Sequence, residues 1–471
     1  MELKEQSARL ERLLLTAALI SGCFHILLSL LQYFFDISTL RYVDYALGGA
    51  VAVVALPYLI GNRSAIRRLS VEQALLIALL VWYAVSCVVM TMMFDGNWIA
   101  MNVEPYFDVC VSALVLFPLG RALARKGIHQ SLKILLHIGL LLWTLAMVWV
   151  LAHVLNNSII DTPSGGQIGM TSNIALSLNC HYNTTGAIES VFTLFCCCMV
   201  IWCRRPALKA LYVLASLINY VVLILSNSRT AFLATAIAFA VLIGLAVYCH
   251  FRKATLRRRI LLSVASAAAA LLAFMALRAL VFYLHESITH LRALLGQSSG
   301  ETAGTSSARS LMDDNARTMN GRTRIWSLSL KAMVYDVQKF IFGVTPVSVI
   351  SMLRTVSGGS IDVYTHNQFL EVGVALGFPG LCLFVAWTVF ILRDAFRMLF
   401  MHREKLSSLV IIAVVAALAI GNLTEATLLF YGFITGSIFF LLCGWISVRG
   451  EKEARKLTRQ ERRQLERKAK K

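Results

Sequence analysis

Apolar runs close to twenty residues long recur along the whole chain, separated by short polar connections. A run of that length crosses the hydrocarbon core of a bilayer as a helix. Lipid offers no partner for backbone amides and carbonyls, so each run must satisfy its own and is expected to be helical. The pattern predicts spans at 12–35, 42–60, 72–93, 103–120, 132–155, 186–203, 207–225, 229–249, 259–282, 366–392, 407–423 and 425–447. The expected fold class is therefore all-α, a polytopic membrane protein of about twelve transmembrane helices. The first run is long enough to span and no convincing small-residue cleavage site accompanies it, so it reads as a retained first helix. The chain 1–471 is expected to form one integral membrane domain, with an inserted loop at 283–365 and a basic tail at 449–471.

That loop is the one long polar interruption. It opens with a mixed helical pattern near 283–296 and passes through a Ser/Gly/Thr-rich stretch at 297–310. From Thr318 to Phe340 the pattern is helical again, with Trp326, Leu330, Met333, Val337 and Phe340 forming one apolar stripe. Such a helix can lie in the interface, stripe toward lipid or toward the bundle. Arg322, one turn before Trp326, is expected on the same face, pointing toward the membrane. Thr365 with Gln368 forms a capping-box pattern, so a helix is expected to start there with His366 in its first turn. Gly377-Phe378-Pro379-Gly380 is expected to break that helix, leaving 366–376 as a short surface helix.

Charge orients the chain. The net charge is +19, and 33 of the 44 Lys and Arg fall in alternate connections and in the tail. By the positive-inside bias these connections are cytoplasmic, as are both termini, and the long loop is extracytoplasmic. The basic residues are scattered among inner loops rather than gathered on one soluble face, so nucleic-acid binding is excluded as the main role. The other outer segments of note are 94–104, the Lys/Arg-free polar stretch 156–185, and Ser226-Asn227-Ser228-Arg229-Thr230. A mean hydropathy of +0.71 fits the membrane class. Cys196, Cys197 and Cys198 fall within a span and read as small buried hydrophobes, Cys180 is the main outward candidate, and no cysteine pair has zinc-ligand spacing. No repeat of two six-helix halves, common among carriers, is visible.

Few residues remain that can carry chemistry. Arg229 is nearly alone among outer connections, and an arginine at the membrane boundary tends to mark a site. Ser226 and Ser228 are positioned to cap the following helix, whose amides would add to an anion site. Arg322 and Arg324 each offer a planar fork matched to phosphate oxygens, although helical spacing puts them on different sides. A helix N-terminus at His366 would disfavour the protonated ring and leave it able to accept a proton. Glu371, within the apolar pattern, is either an acid supporting that histidine or a structural hydrogen-bonding group.

Together these segments resemble the O-antigen ligase and O-antigen polymerase superfamily over roughly residues 220–400. Ser226-Asn227-Ser228-Arg229 is similar to its Ser-Arg element, Gly321-Arg322-Thr323-Arg324-Ile325-Trp326 to its Gly-Arg-x-x-x-Trp element, and His366-Asn367-Gln368-Phe369-Leu370-Glu371 to its His-Asn-x-x-Leu element. The family's downstream Gly-x-Gly turn is here Gly343-Val344-Thr345, and Arg324 is an additional arginine. The resemblance implies a glycosyltransferase without metal or other cofactor. It would move a glycan from an undecaprenyl-diphosphate carrier to an acceptor sugar, a lipid A core or another lipid-linked unit, at the outer leaflet of a bacterial plasma (inner) membrane. Arg229 and Arg322 would bind the diphosphate, and His366 would act as base or orient the acceptor. Ser228, Arg324, Trp326 and Asn367 would line the substrate site. The rival class is a transporter or flippase of lipid-linked oligosaccharide, which predicts charged residues deep inside several spans; the spans here are nearly charge-free.

Overall fold

Helices form wherever the apolar runs stand, and packing rather than capping decides how they meet. The computed structural model describes residues 2–35, 38–61, 69–93, 98–126, 130–156, 158–162, 166–171, 175–251, 253–294, 321–400, 406–431 and 434–448. In chain order the first helices are α1 (Glu2–Leu31), α2 (Ser38–Gly61) and α3 (Val71–Met93). Next is α4, which starts at Val103–Cys110, widens into a π-helical stretch Val111–Leu116 and ends as Phe117–Lys126. The series continues with α5 (Gln130–Leu155), α6 (Tyr182–Trp202), α7 (Pro206–Leu225), α8 (Arg229–His250) and α9 (Leu256–Leu294). The expected polar loop carries α10 (Arg322–Met333), α11 (Val337–Phe342) and α12 (Val349–Val356). It is followed by α13 (Gln368–Phe400), α14 (Leu406–Gly421) and α15 (Ile434–Val448).

Eight of the described helices are long and apolar enough to cross a membrane: α3, α4, α5, α6, α7, α8, α9 and α13. Helices stand at the other four expected positions too, α1, α2, α14 and α15, but the apolar stretches Thr16–Leu31, Leu409–Gly421 and Ile434–Val448 are shorter. The Ser/Gly/Thr-rich stretch 297–310 and the basic tail 449–471 lie outside the described residues.

The structure departs from a purely helical expectation at 156–185. That segment holds a three-stranded antiparallel sheet, β1 (Ile160–Asp161), β2 (Gln167–Thr171) and β3 (Ala175–Leu178), in the order β1-β2-β3. Ile168, Leu176 and Leu178 bury their side chains with Leu140, Trp143 and Val150 of α5 and Ile188 of α6. Three apolar anchors spread over short polar stretches gave no helical period, and the sheet closes over the ends of two helices instead.

The second departure matters most for function. Adjacent spans were expected at 407–423 and 425–447, but residues 422–431 form a non-helical segment and α15 begins only at Ile434. Irregular backbone within a membrane domain is tolerated only when its polar groups are satisfied. Here several have partners. The Gln368 amide donates to the Asn422 carbonyl at 3.0 Å. The Leu428 amide donates to Gln368 Oε1 at 2.9 Å, the Thr427 amide to Asn422 Oδ1 at 2.7 Å, and Asn367 Nδ2 to the Leu423 carbonyl at 2.8 Å. Segment 422–431 and the start of α13 are thus bound to each other as one unit.

The polar loop docks through a glycine-on-glycine contact. The expected break in α13 is present: Gly377 takes φ 69°, ψ −176° and divides the helix. Gly343, at φ 74°, lies against it. A Cβ on Gly343 would stand 2.3 Å from the Ala375 carbonyl oxygen, and one on Gly377 would stand 2.2 Å from that of Ile341. Val344 and Thr345 then donate their amides to Val374 and Ala375 at 3.0 and 2.8 Å. The break exposes the Leu376 carbonyl, which accepts from Trp82 Nε1 of α3 at 2.8 Å while the Trp82 ring stacks on Phe342. Thr345 occupies φ 65°, ψ 152°, a region almost reserved for glycine, at the position where the Gly-x-Gly turn has its second glycine. Its hydroxyl accepts from Asn102 Nδ2 at 3.0 Å, a contact that glycine would forgo.

Replacing Gly377 with alanine forces both a positive φ and a clash. It is expected to destabilise loop docking by about 1–3 kcal/mol, read as a lower thermal midpoint of purified protein and faster proteolysis near α11. Gly139→Ala, which meets no atom within 4 Å, is the control and leaves the midpoint unchanged or higher.

Candidate active site at one end of the bundle

Four segments meet around one carboxylate, which the last of them carries. Each is bent into place by a local device that its sequence supplies. Between α7 and α8, Asn227 takes φ 54°, which lets the chain reverse, and Ser228 caps α8 by accepting from the Ala231 amide at 3.4 Å. Ahead of α10, Gly321 at φ 78° turns the chain so that Arg322 opens the helix. Ahead of α13, His366 itself takes φ 50°. The fourth is segment 422–431, which carries Glu425.

Glu425 is 4% exposed and accepts from all sides. Its Oε1 takes Asn183 Nδ2 of α6 at 2.7 Å and an ion pair from Arg322 Nη2. Its Oε2 takes the Tyr364 hydroxyl at 3.3 Å and stands 3.1 Å from His366 Nδ1. Arg322 Nη1 also donates to Thr230 Oγ1 at 3.2 Å, and Thr230 accepts from the Thr424 hydroxyl at 3.0 Å. A narrow cleft lined by Asn183, Ser228, Thr230, Asn422 and Glu425 runs beside this cluster. Burial, followed by the Glu425 charge, pushes the Tyr364 phenol well above its ordinary range, so it stays protonated and able to donate.

His366 is held on three sides. Trp326 Nε1 donates to its carbonyl at 3.3 Å, the Tyr364 ring lies 4.3 Å from the imidazole, and Glu425 holds Nδ1. The capping expectation is corrected here. His366 lies outside the helix, and the cap is Asn367, whose Oδ1 accepts from the Phe369 and Leu370 amides at 2.9 and 3.1 Å. Thr365 cannot cap, because Glu371 takes both its amide, at 3.0 Å, and its hydroxyl, at 2.7 Å. Gln368 turns instead to Leu428. Glu371 also accepts from the Tyr431 hydroxyl, so it is a structural acceptor that fixes the residue before His366.

Of the expected site residues, the structure gathers Arg322, His366, Trp326 and Asn367, and Arg322 reaches Thr230, the residue that follows the Ser-Arg element. Arg229 is half-buried one residue earlier, at the start of α8. Arg324 is turned the other way, donating to Ser360 Oγ at 3.0 Å, as helical spacing required. The long stripe is corrected as well. The chain leaves the helix at Val334, and Asp336 caps α11 by accepting from the Lys339 amide at 2.7 Å. The packed face of α10 is Ile325, Ser329 and Ala332, whereas Leu330 and Val337 are exposed. Arg322 lies on the packed side and points at the bundle end.

Glu425, Tyr364 and Asn183 were not anticipated as site residues, and Thr230 stood only as the last residue of the connection 226–230. The signal for Glu425 was the break Asn422-Leu423-Thr424-Glu425, set between two apolar runs. The spans are also less bare than expected. His25 Nδ1 lies 2.6 Å from Asp44 Oδ2 and Nε2 lies 3.0 Å from Ser437 Oγ, all three buried, and Glu189 accepts from Trp143 Nε1 at 3.0 Å. Cys180 is held 3.4 Å from the Thr185 hydroxyl and burial pushes its thiol up to about 12, which removes it as a nucleophile near neutral pH. Cys196 and Cys198 are buried, as expected of small hydrophobes, whereas Cys197 is only half-buried and lies 3.0 Å from Ser216 Oγ.

Asn367→Ala removes the cap of α13 and is expected to cost about 1 kcal/mol of stability, whereas Asn367→Asp retains both acceptor bonds. Thermal unfolding of the two variants, compared with wild type, checks the assignment.

Residues 210–385 match the model of a family described as O-antigen ligase. The matched region runs from α7 into α13 and contains Arg229, Arg322 and His366; Glu425 lies beyond it. No curated protein matches the chain.

Proposed function

We propose that this chain, which matches the O-antigen ligase family over residues 210–385, is a membrane glycosyltransferase. It takes a glycan from an undecaprenyl-diphosphate carrier and transfers it to an acceptor sugar at the outer leaflet. About twelve spans carry the site, with both termini cytoplasmic, in a bacterial plasma membrane. The single observation that carries the reading is the meeting of Arg322 and His366 around one buried carboxylate at one end of the bundle. Those two residues stand in separate motifs, 44 positions apart in the chain.

The chemistry follows from the groups present. The acceptor hydroxyl oxygen attacks the anomeric carbon, and its proton passes to His366 Nε2. The bond from the anomeric carbon to the diphosphate oxygen breaks, and its electron pair stays on the diphosphate. Arg322, and Arg229 at the start of α8, stabilise the charge that develops there. Thr230 and the α8 N-terminus supply further donors on the same side. The attack comes from the face opposite the leaving group, so the sugar inverts. Trp326 and Asn367 hold the histidine turn, Ser228 holds α8, and Arg324, turned to Ser360, is left to meet the glycan rather than the diphosphate. Ligation to a lipid A core and polymerisation onto another lipid-linked unit use the same step and differ in acceptor. In a deletion strain, accumulated long lipid-linked chains mark a lost ligase and accumulated single units a lost polymerase.

A second reading, a carrier of lipid-linked oligosaccharide, draws on the buried His25–Asp44–Ser437 and Glu189 contacts, since ionisable groups inside spans often mark translocation paths. It predicts that His25→Ala abolishes flipping of lipid-linked glycan in proteoliposomes, while the transferase predicts no flipping by either form.

Arg322→Ala is expected to lower transfer by about 10²–10³-fold with membrane insertion intact. His366→Ala is expected to lower turnover by about 10²–10⁴-fold with donor binding kept. Both are measured on purified protein with lipid-linked donor, and near-wild-type turnover in either would refute the role given to that residue. Transfer is expected to survive a chelator, because the arginines supply the positive charge; loss on chelation and recovery with added divalent ion would contradict this.

A further inference from the structure

The chemistry of Glu425 goes further than filling space beside the base. Three of its partners donate to it, the Arg322 guanidinium, the Asn183 amide nitrogen and the Tyr364 hydroxyl, and the fourth is His366 Nδ1, whose role follows from its tautomer. A carboxylate only accepts. Facing it, His366 must carry its ring proton on Nδ1, which leaves Nε2 as the acceptor nitrogen. The ring has little freedom to escape this, because its backbone is held in a left-handed turn, clamped by Trp326 and covered by Tyr364. Carboxylate and imidazole also share a mount, since segment 422–431 is bonded to Asn367 and Gln368 directly after the histidine. The same carboxylate fixes Arg322, so one group sets the geometry of both.

We propose that Glu425 is the positioning residue of this site: it selects the Nδ1–H tautomer of His366 and aims Nε2 at the acceptor hydroxyl, while holding Arg322 for the donor diphosphate. This rests on the reading of His366 as the base. Glu425 itself lies outside the matched region, residues 210–385.

Glu425→Gln is a stringent test because it keeps the shape and inverts half of the hydrogen bonding. The charged guanidinium has no acceptor to offer, so the new carbonyl turns to it and to the Asn183 amide that shares the same oxygen. The new amide nitrogen then faces Tyr364 and His366. The tyrosine hydroxyl can rotate to accept, and the imidazole can accept at Nδ1 only by moving its proton to Nε2. That proton removes the base.

The experiment measures kcat and KM for transfer from a purified undecaprenyl-diphosphate-linked glycan by wild type, Glu425→Gln, His366→Ala and the double variant, each reconstituted in liposomes. Glu425→Gln is expected to lower kcat by about 10²-fold with donor KM unchanged, and the double variant is expected to be no slower than His366→Ala. Wild-type kcat in Glu425→Gln, a change in KM alone, or a double variant showing the product of both losses would overturn the proposal. Should the glutamine variant fail to fold, Glu425→Asp asks the same question: it keeps the charge but withdraws it from His366, so reduced kcat supports the proposal and full kcat overturns it. Wild-type rate in His366→Ala would remove the base, and this proposal with it. Full rate in Glu425→Gln beside an inactive His366→Ala removes only the proposal.

Discussion

One buried carboxylate constrains the end of this bundle. Placing Glu425 among apolar helices without partners would cost several kcal/mol, and the chain meets that demand with donors from three other segments, at Asn183, Arg322 and the Tyr364–His366 turn. The requirement reaches back to the secondary structure. To bring Glu425 inward, residues 422–431 leave the helix, and each exposed backbone group along them needs a partner; Asn422, Asn367 and Gln368 supply several. The shorter apolar stretches of α14 and α15 follow from this, since the residues that would lengthen them form the inward segment instead.

The polar loop is held by a different physics. Gly343 and Gly377 permit two backbones to touch where no side chain fits, and Trp82 satisfies the carbonyl that the break in α13 exposes. The loop enters this contact from α10 and α11 and leaves it toward His366, so the docking sets where both Arg322 and His366 stand. Strained residues gather along the same path: Asn227, Thr345 and His366 all have positive φ without being glycine. Such conformations persist where surrounding contacts over-determine them. At Asn227 and His366 they turn the chain immediately before α8 and α13, at the cluster.

The apolar periodicity made the helices legible, because length and hydropathy alone demand them in lipid. The break at Gly377 was legible from its glycines and proline, and the splaying of Arg322 from Arg324 from helical spacing. Other features were hidden for definable reasons. The sheet at 160–178 rests on single buried apolar residues in a polar stretch, too few to set a period. Asn367 competes with Thr365 for the cap, and only the contact of Thr365 with Glu371 decides between them. The apolar stripe from Trp326 to Phe340 suggested one helix, but Asp336 is a better cap than continuation residue and breaks it. Glu425 was hidden because a lone acid between two apolar runs reads as a connection; its meaning lies in partners at positions 183, 322, 364 and 366.

If Glu425 holds His366 as the single base opposite a diphosphate bound by arginines, transfer proceeds in one displacement, and the sugar must invert. The most direct measurement is the anomeric configuration of the linkage formed by the purified wild-type protein, read by proton NMR against the configuration in the lipid-linked donor. The account predicts an inverted linkage with release of undecaprenyl diphosphate. A retained configuration, or no transfer from that donor, would contradict it.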